Sequence, residues 1–296
     1  MPGLALGIGL ATLAALALAV QSLAVRFSTE RQSVWSLTAT VFVVNVALLV
    51  PVTLVRHFPD HGLTGRAVLA FAAGGLLGSL LARAALFVGI SRLGASRAEP
   101  LKSTFPLVAV VSAVLVLDEP LTPPLVVGVV LLVGGAVAVS LDARTSRVTG
   151  SGRRLLVDLS FPLAGALLLG VDPVFTKVGL GEGTPALVGV TVRVVAAAVG
   201  FGLFLCWRWL RDDAVALSRP SRWTVVTGLA NTGYLGLYLA ALARAPVSLV
   251  APILGTSPLL VVVGSALFAR RRERVTLRLA LGVTVLVAGV ALIVRG

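Results

Sequence analysis

The residues able to do chemistry in this chain are few, and most stand inside long apolar runs. Arg83 lies in the run 67–90, Arg193 in 186–207 and Asp172 in 155–177, while Glu99 and Lys102 flank Pro100 near the start of 98–117. A charge at the centre of a bilayer costs about 2.5–3.5 kcal/mol on insertion scales, so such residues persist where they face a cavity or one another. Arg83 and Arg193 each sit about seven residues inside their runs, roughly 10 Å of helical rise and too deep for easy snorkelling. Two arginines, a lysine and two carboxylates facing one cavity suit an anionic or zwitterionic solute, with arginine gripping a carboxylate or phosphate through its planar fork. The same groups could instead neutralise one another, Asp172 with Arg193 or Glu99 with Arg83, and hold helices together. Asp172, which the internal alignment sets opposite Gln21, is also the candidate for a coupling proton, a role that abundant neighbouring arginine would oppose.

Neutral polar groups extend this set. Asn231, Tyr234 and Tyr238 fall at i, i+3 and i+7, one face of a helix, where they could offer hydrogen bonds and a stacking surface to a solute or pack between helices. Pro100, Pro106, Pro252 and Pro258 each remove an N–H and free a carbonyl one turn back, which in hydrocarbon must be satisfied by protein or cavity water. They imply broken or kinked helices, with the Thr104 and Thr256 hydroxyls beside the break, and a fixed packing kink is the alternative. Lys177, matched by Arg26, reads as an interfacial snorkelling cation.

These residues need helices to hold them. The chain has 296 residues, 57% apolar and only 12% charged, with a mean hydropathy of +1.02. Too little polar surface exists to cover a soluble core, so lipid is the fitting solvent. Runs of about 20 apolar residues, the length of a span, fall near 4–25, 33–55, 67–90, 98–117, 123–141, 155–177, 186–207, 221–243, 247–269 and 276–294. None alternates as a barrel strand would. The first lacks a basic leader and has a counterpart later in the chain, so it is expected to be a retained helix. The net charge of +13 sits mainly as arginine in short connections, with no basic stripe interleaved with aromatics. That pattern fits anionic headgroups and topology signals, and excludes nucleic acid as the expected partner.

Displaced by 152 residues, Arg92–Leu115 falls on Arg244–Leu267 with nine identities in 24, among them Ser96/Ser248, Pro100/Pro252, Thr104/Thr256 and Pro106/Pro258. After a two-residue insertion, Glu119/Glu273, Thr122/Thr276, Gly128/Gly282 and Gly135/Gly289 coincide. A shared P-x-x-x-T-x-P is not produced by apolar composition, so the chain is a duplication. Five spans per copy is odd, which sends the second copy into the membrane from the opposite side. The expected fold is therefore an all-α membrane protein of ten transmembrane helices, two inverted five-helix repeats over 1–145 and 146–296, with a solute site near the midplane.

The stretch A-S-R-A-E-P-L-K-S-T-F-P-L, followed by L-D-E-P-L-T and G-V-V-L-L-V-G-G, resembles the hallmark of the EamA family in the drug/metabolite transporter superfamily. It recurs as P-I-L-G-T-S-P-L, R-R-E-R-V-T and G-V-T-V-L-V-A-G, and the resemblance covers nearly the whole chain. It implies a ten-helix basket with a central cavity, working by alternating access as an exporter or exchanger of small metabolites. The plasma membrane is the expected location, and a proton or counter-solute the expected coupling partner. Arg270-Arg271-Arg272 before Glu273 depart from the first copy, which has only Leu117-Asp118 there.

Absences narrow the reading. Cys206 is alone, so there is no thiol cluster or disulfide frame. No P-loop, H-E-x-x-H or G-x-S-x-G occurs, and no cofactor or enzymatic role is expected. His57 and His61 bracket Asp60 in what reads as an interfacial loop rather than a metal site. Glu119 and Glu273 read as local hydrogen-bonding groups at helix starts. A carrier for an organic anion or amino-acid-like solute leads. Cationic-drug efflux, a membrane enzyme and a non-transporting scaffold are the alternatives. Orientation stays open: the Lys and Arg count puts the connections after odd-numbered spans in the cytoplasm and both termini outside, whereas the resemblance implies both termini inside.

Overall fold

The structure, a computed structural model, describes residues 2–29, 32–93, 101–142, 152–211, 215, 217–257, 259–261, 281–282, 284–285, 288–289 and 291–293. Among these the regular structure is helical: α1 (Pro2–Thr29), α2 (Val34–His57), α3 (Gly65–Gly74), a π-helical segment (Gly75–Leu81), α4 (Ala82–Leu93), α5 (Phe105–Leu117), α6 (Pro123–Asp142), α7 (Gly152–Gly181), α8 (Ala186–Leu210), α9 (Arg222–Leu242) and α10 (Val247–Leu254). In hydrocarbon every backbone N–H and C=O must find a partner within the chain, which these uninterrupted apolar runs achieve as helices. Six helices among the described residues are long and apolar enough to span: Gly3–Val25, Val34–His57, Gly65–Leu86, Leu156–Gly181, Ala186–Leu210 and Arg222–Leu242. Phe105–Leu117, Pro123–Gly135 and Val247–Val261 are shorter apolar helices. Most of the apolar run 276–294 and the end of 247–269 lie outside the described residues. Starts are capped where the sequence supplies a hydroxyl: Ser33, Thr64 and Ser221 accept from the N–H groups of Ser36, Ala67 and Thr224.

The chain forms two compact units, each drawing on both sequence copies. The first comprises Met1–Leu80 and Phe175–Arg244, the second Leu81–Val174 and Ala245–Gly296. In the first unit α1 lies along α9, α2 packs on α8 and α9, and α3 packs on α8. Residues matched by the 152-residue displacement run antiparallel here. Trp35 at the start of α2 stacks on Phe204 near the end of α8, with ring centroids 5.3 Å apart. Thr53 near the end of α2 meets Thr191 near the start of α8, hydroxyl to hydroxyl at 2.6 Å. One contact also occurs twice with the copies exchanged. Phe27 of α1 lies against Trp223 of α9 at 4.9 Å, and the residues 152 further and 152 back, Gly179 of α7 and Phe71 of α3, touch in turn.

In the second unit the same reversal holds for α5 and α10. Asp118 ends α5 in the left-handed region (φ 53°), a conformation aspartate tolerates better than most residues. That turn sends Glu119 to the start of α10, where its Oε1 and Oε2 accept from the N–H groups of Val247 and Ser248 at 2.7 and 2.8 Å. At the other end, a Cβ on Gly255 would stand 2.9 Å from Pro106 at the start of α5. Glu119 is thus not the local turn group its sequence position suggests, because it caps a helix of the other copy. Gly128 of α6 and Gly289 cross so closely that a Cβ on either would come within 2.7 Å of the other's carbonyl oxygen. Val110, Leu125, Val129, Leu132 and Ile293 fill the core beside them.

The Glu119 carboxylate satisfies two orphan donors with charge-assisted bonds at the positive end of a helix. Glu119→Ala is expected to lower stability by about 1–2 kcal/mol, with Glu119→Gln, which keeps one acceptor, falling between. Thermal melts of the detergent-purified proteins check the ranking; an E119A melt equal to wild type would contradict it.

Candidate solute site

Among the described residues of the first unit, the most deeply buried charge is Arg193. It stands two turns into α8 with 3% of its surface exposed, which a lipid-facing residue could not match. Its Nη1 donates to Thr176 Oγ1 of α7 at 3.0 Å, and its guanidinium carbon lies 5.8 Å from the ring centroid of Tyr238 in α9. Three helices therefore position one cation. Tyr238 is 2% exposed, and Tyr234, one turn earlier and half-buried, stacks on it with centroids 5.8 Å apart and planes 14° apart. The i, i+4 spacing on α9 makes that stacking possible.

What fixes Arg193 is backbone contact as much as side-chain bonding. α3 reaches α8 at Gly75, where an added Cβ would overlap the Arg193 carbonyl, its carbon lying only 2.9 Å away. The π-helical segment Gly75–Leu81 begins at this contact. Wide turns of this kind recur at functional sites because they spoil regular hydrogen bonding locally.

The first unit also holds a buried amide cluster, two turns before Tyr238 on α9. With its nitrogen turned toward the Val41 and Gly228 carbonyls, Asn45 of α2 has three acceptors for its two amide hydrogens, both carbonyls at 3.2 Å and Thr232 Oγ1 at 2.7 Å. Its amide meets that of Asn231 at 2.7 Å, and Asn231 meets Gln21 of α1 at 3.1 Å. Asn45 and Asn231 are 1% and 4% exposed, while Gln21 is half-buried. The cluster ties α1, α2 and α9 together, and Gln21 is its most accessible member. Asn45 was legible only as an amide inside an apolar run, and its partners on distant segments were not.

Other sequence candidates are placed as follows. Asp172 is buried in α7, 3% exposed, one turn before Thr176. Arg83 in α4 and Lys102 are half-buried in the second unit. Thr104 and Thr256 share one local structure: each hydroxyl donates at 2.7 Å to the carbonyl three residues back, Leu101 and Ile253. Both stand at turns that interrupt helix, at 103–104 and 255–256. Pro106 lies in the first turn of α5 and Pro252 inside α10. Pro100, Pro258, Glu99 and Glu273 fall outside the described residues. His57 and His61 join no group of three metal-ligating side chains among the described residues.

The described residues are thus helical and apolar, with a buried cation held by hydroxyl and aromatic groups. The EamA-like transporter family matches it twice, over residues 5–141 and 158–295. The chain therefore belongs to the EamA-like transporter family and is a membrane transporter of the drug/metabolite superfamily. A solved structure described only as "Crystal structure of protein" shares its fold at a TM-score of 0.78, with 20% sequence identity over 98% of this chain and 97% of that one. No curated protein matches the sequence significantly.

Gly75→Ala is expected to push α3 off α8, at an overpacking cost of about 1–3 kcal/mol, and to displace Arg193. Gly202→Ala, in open space on α8, is expected to leave stability unchanged. Thermal melts of the two variants side by side test the contact, and equal melting points would refute it.

Proposed function

We propose that this chain carries a small organic anion or amino-acid-like zwitterion across the plasma membrane by alternating access, as an exporter, with Arg193 binding the solute carboxylate. The observation that carries the reading is Arg193 itself. A guanidinium this far inside an apolar helix is costly, and such residues persist where they face a cavity or pair with other groups. Thr176 holds one nitrogen and Tyr238 backs one side of the ion, an arrangement that orients the fork and limits the entropy lost on binding a planar carboxylate. Tyr234 and Gln21, each half-buried beside more deeply buried partners, would meet the rest of the solute, with Asn231 holding Gln21 in place. In the second unit, Arg83, Lys102, Thr104 and Thr256 are further candidates for solute contact.

The architecture we propose for this work is ten spans in two inverted repeats, 1–145 and 146–296. Three findings support inversion: α2 antiparallel to α8, α5 antiparallel to α10, and the copy-exchanged contact of Phe27–Trp223 with Gly179–Phe71. A second reading, efflux of a cationic drug, draws on the burial of Asp172, which could instead take a coupling proton or the charge of a counter-solute.

Proteoliposome counterflow with a panel of radiolabelled carboxylates, zwitterions and organic cations separates these. Arg193→Gln and Arg193→Lys are each expected to reduce carboxylate flux at least about tenfold, a loss of about 1.4 kcal/mol or more. Lysine fails because an ammonium cannot make the bidentate, ring-backed contact. Folded variants with unchanged carboxylate flux would end the anion reading. Cation flux lost in Asp172→Asn and spared in Arg193→Gln would establish the second one.

A further inference from the structure

The described residues at the two ends of the first unit surround cations with different groups. At one end, where α2 finishes, α3 begins and α7 turns into α8, basic groups meet acidic ones. Arg66 pairs with Glu182 at 3.2 Å, Thr64 also donates to Glu182, and Asp60 accepts from the Gly62 N–H. At the other end, α1 and α8 finish while α2 and α9 begin, as the Phe27–Trp223 and Trp35–Phe204 contacts establish. All four tryptophans of the chain, Trp35, Trp207, Trp209 and Trp223, are at this end. Here arginines lie over indoles: Arg211 is 4.8 Å from the Trp207 ring, Arg222 5.8 Å from Trp223 and Arg208 5.9 Å from Trp35. Arg211, Arg219 and Arg222 are exposed and Arg208 is half-buried. Trp207 and Trp209 are 51% and 66% exposed, in a rim continued by Leu203 and Leu210. Asp212 and Asp213 belong to the same connection and fall outside the described residues.

We propose that this end of the first unit is a binding surface for anionic phospholipid, with Arg208, Arg211 and Arg222 taking headgroup phosphates. Indole rings settle at the headgroup level because they are apolar in body and polar at the N–H. A guanidinium stacked on an indole face keeps its in-plane donors directed outward, and those donors match phosphate oxygens in a bidentate fork. Leu203 and Leu210, exposed on the helix that carries Arg208, offer the acyl chains an apolar wall. A phosphate dissolved in water would gain the charge contact alone; a lipid gains the wall as well, so the surface selects the anchored anion. The surface is independent of the solute site, since none of its residues belongs to the Arg193 cluster.

The full-length purified protein is titrated with phosphatidylglycerol, with phosphatidylcholine of the same chains, and with soluble glycerol phosphate, and the apparent affinity is read from the melting shift. Phosphatidylglycerol is expected to raise the melting point well beyond phosphatidylcholine, with no shift from glycerol phosphate. Each of Arg208→Gln, Arg211→Gln and Arg222→Gln is expected to weaken the phosphatidylglycerol affinity about fivefold, and the triple variant about a hundredfold. Arg56→Gln, exposed at the opposite end, is expected to leave it unchanged. Equal shifts with the two lipids, a shift with glycerol phosphate, or an R56Q loss matching the others would overturn the proposal. Should the triple variant not survive purification, the single variants decide, and unchanged affinity in all three would overturn it equally.

Discussion

The structure depends on one constraint: inside hydrocarbon no backbone N–H, carbonyl or side-chain charge can go without a partner. Long apolar helices meet it automatically, so the instructive places are where helices stop or carry charge. α5 stops at the left-handed Asp118, and the donors that open α10 are taken by Glu119. The helix interruptions at Thr104 and Thr256 are each closed by a hydroxyl bonded to the carbonyl three residues back. Arg193 is met by Thr176 and Tyr238. Each departure from regular helix has its own compensation within reach.

The compensations also tie the copies together. Glu119 belongs to the first copy and serves a helix of the second. Asn45 of the first copy meets Asn231 of the second, and Thr53 of the first meets Thr191 of the second. Neither copy could bury these groups alone, because each would leave an acceptor or donor facing lipid. This is why the compact units cut across the sequence repeats: contacts between helices of different copies satisfy both. It also leaves Arg193, Thr176 and Tyr238, from three helices, converging on one buried point.

Small residues set the distances at which this works. Gly75 lets α3 touch the Arg193 carbonyl, and Gly128 with Gly289 brings two helices to backbone contact. In lipid there is little hydrophobic gain from bringing helices together, so close packing at such positions and the few interhelical hydrogen bonds carry the association. Gly128 and Gly289 were visible in the sequence as members of two matched glycine pairs, Gly128/Gly282 and Gly135/Gly289. Gly75 was not, since nothing in an apolar run distinguishes a glycine that receives a neighbouring backbone from one that faces lipid.

The sequence by itself determined the solvent, the helical class, the duplication and the family, because each is written in local composition or in periodic identity along the chain. It also marked Arg193, Asp172 and Asn231 as out of place, since a polar residue in an apolar run is conspicuous without knowledge of its neighbours. Only the tertiary structure decided partners. That Glu119 reaches α10, that Asn45 joins Asn231, that Thr176 holds Arg193 and that the four tryptophans gather at one end follow from which helices lie side by side. Helix contacts in lipid are chosen by shape and hydrogen bonding between segments more than a hundred residues apart in several of these pairs, and no one-dimensional pattern records that choice.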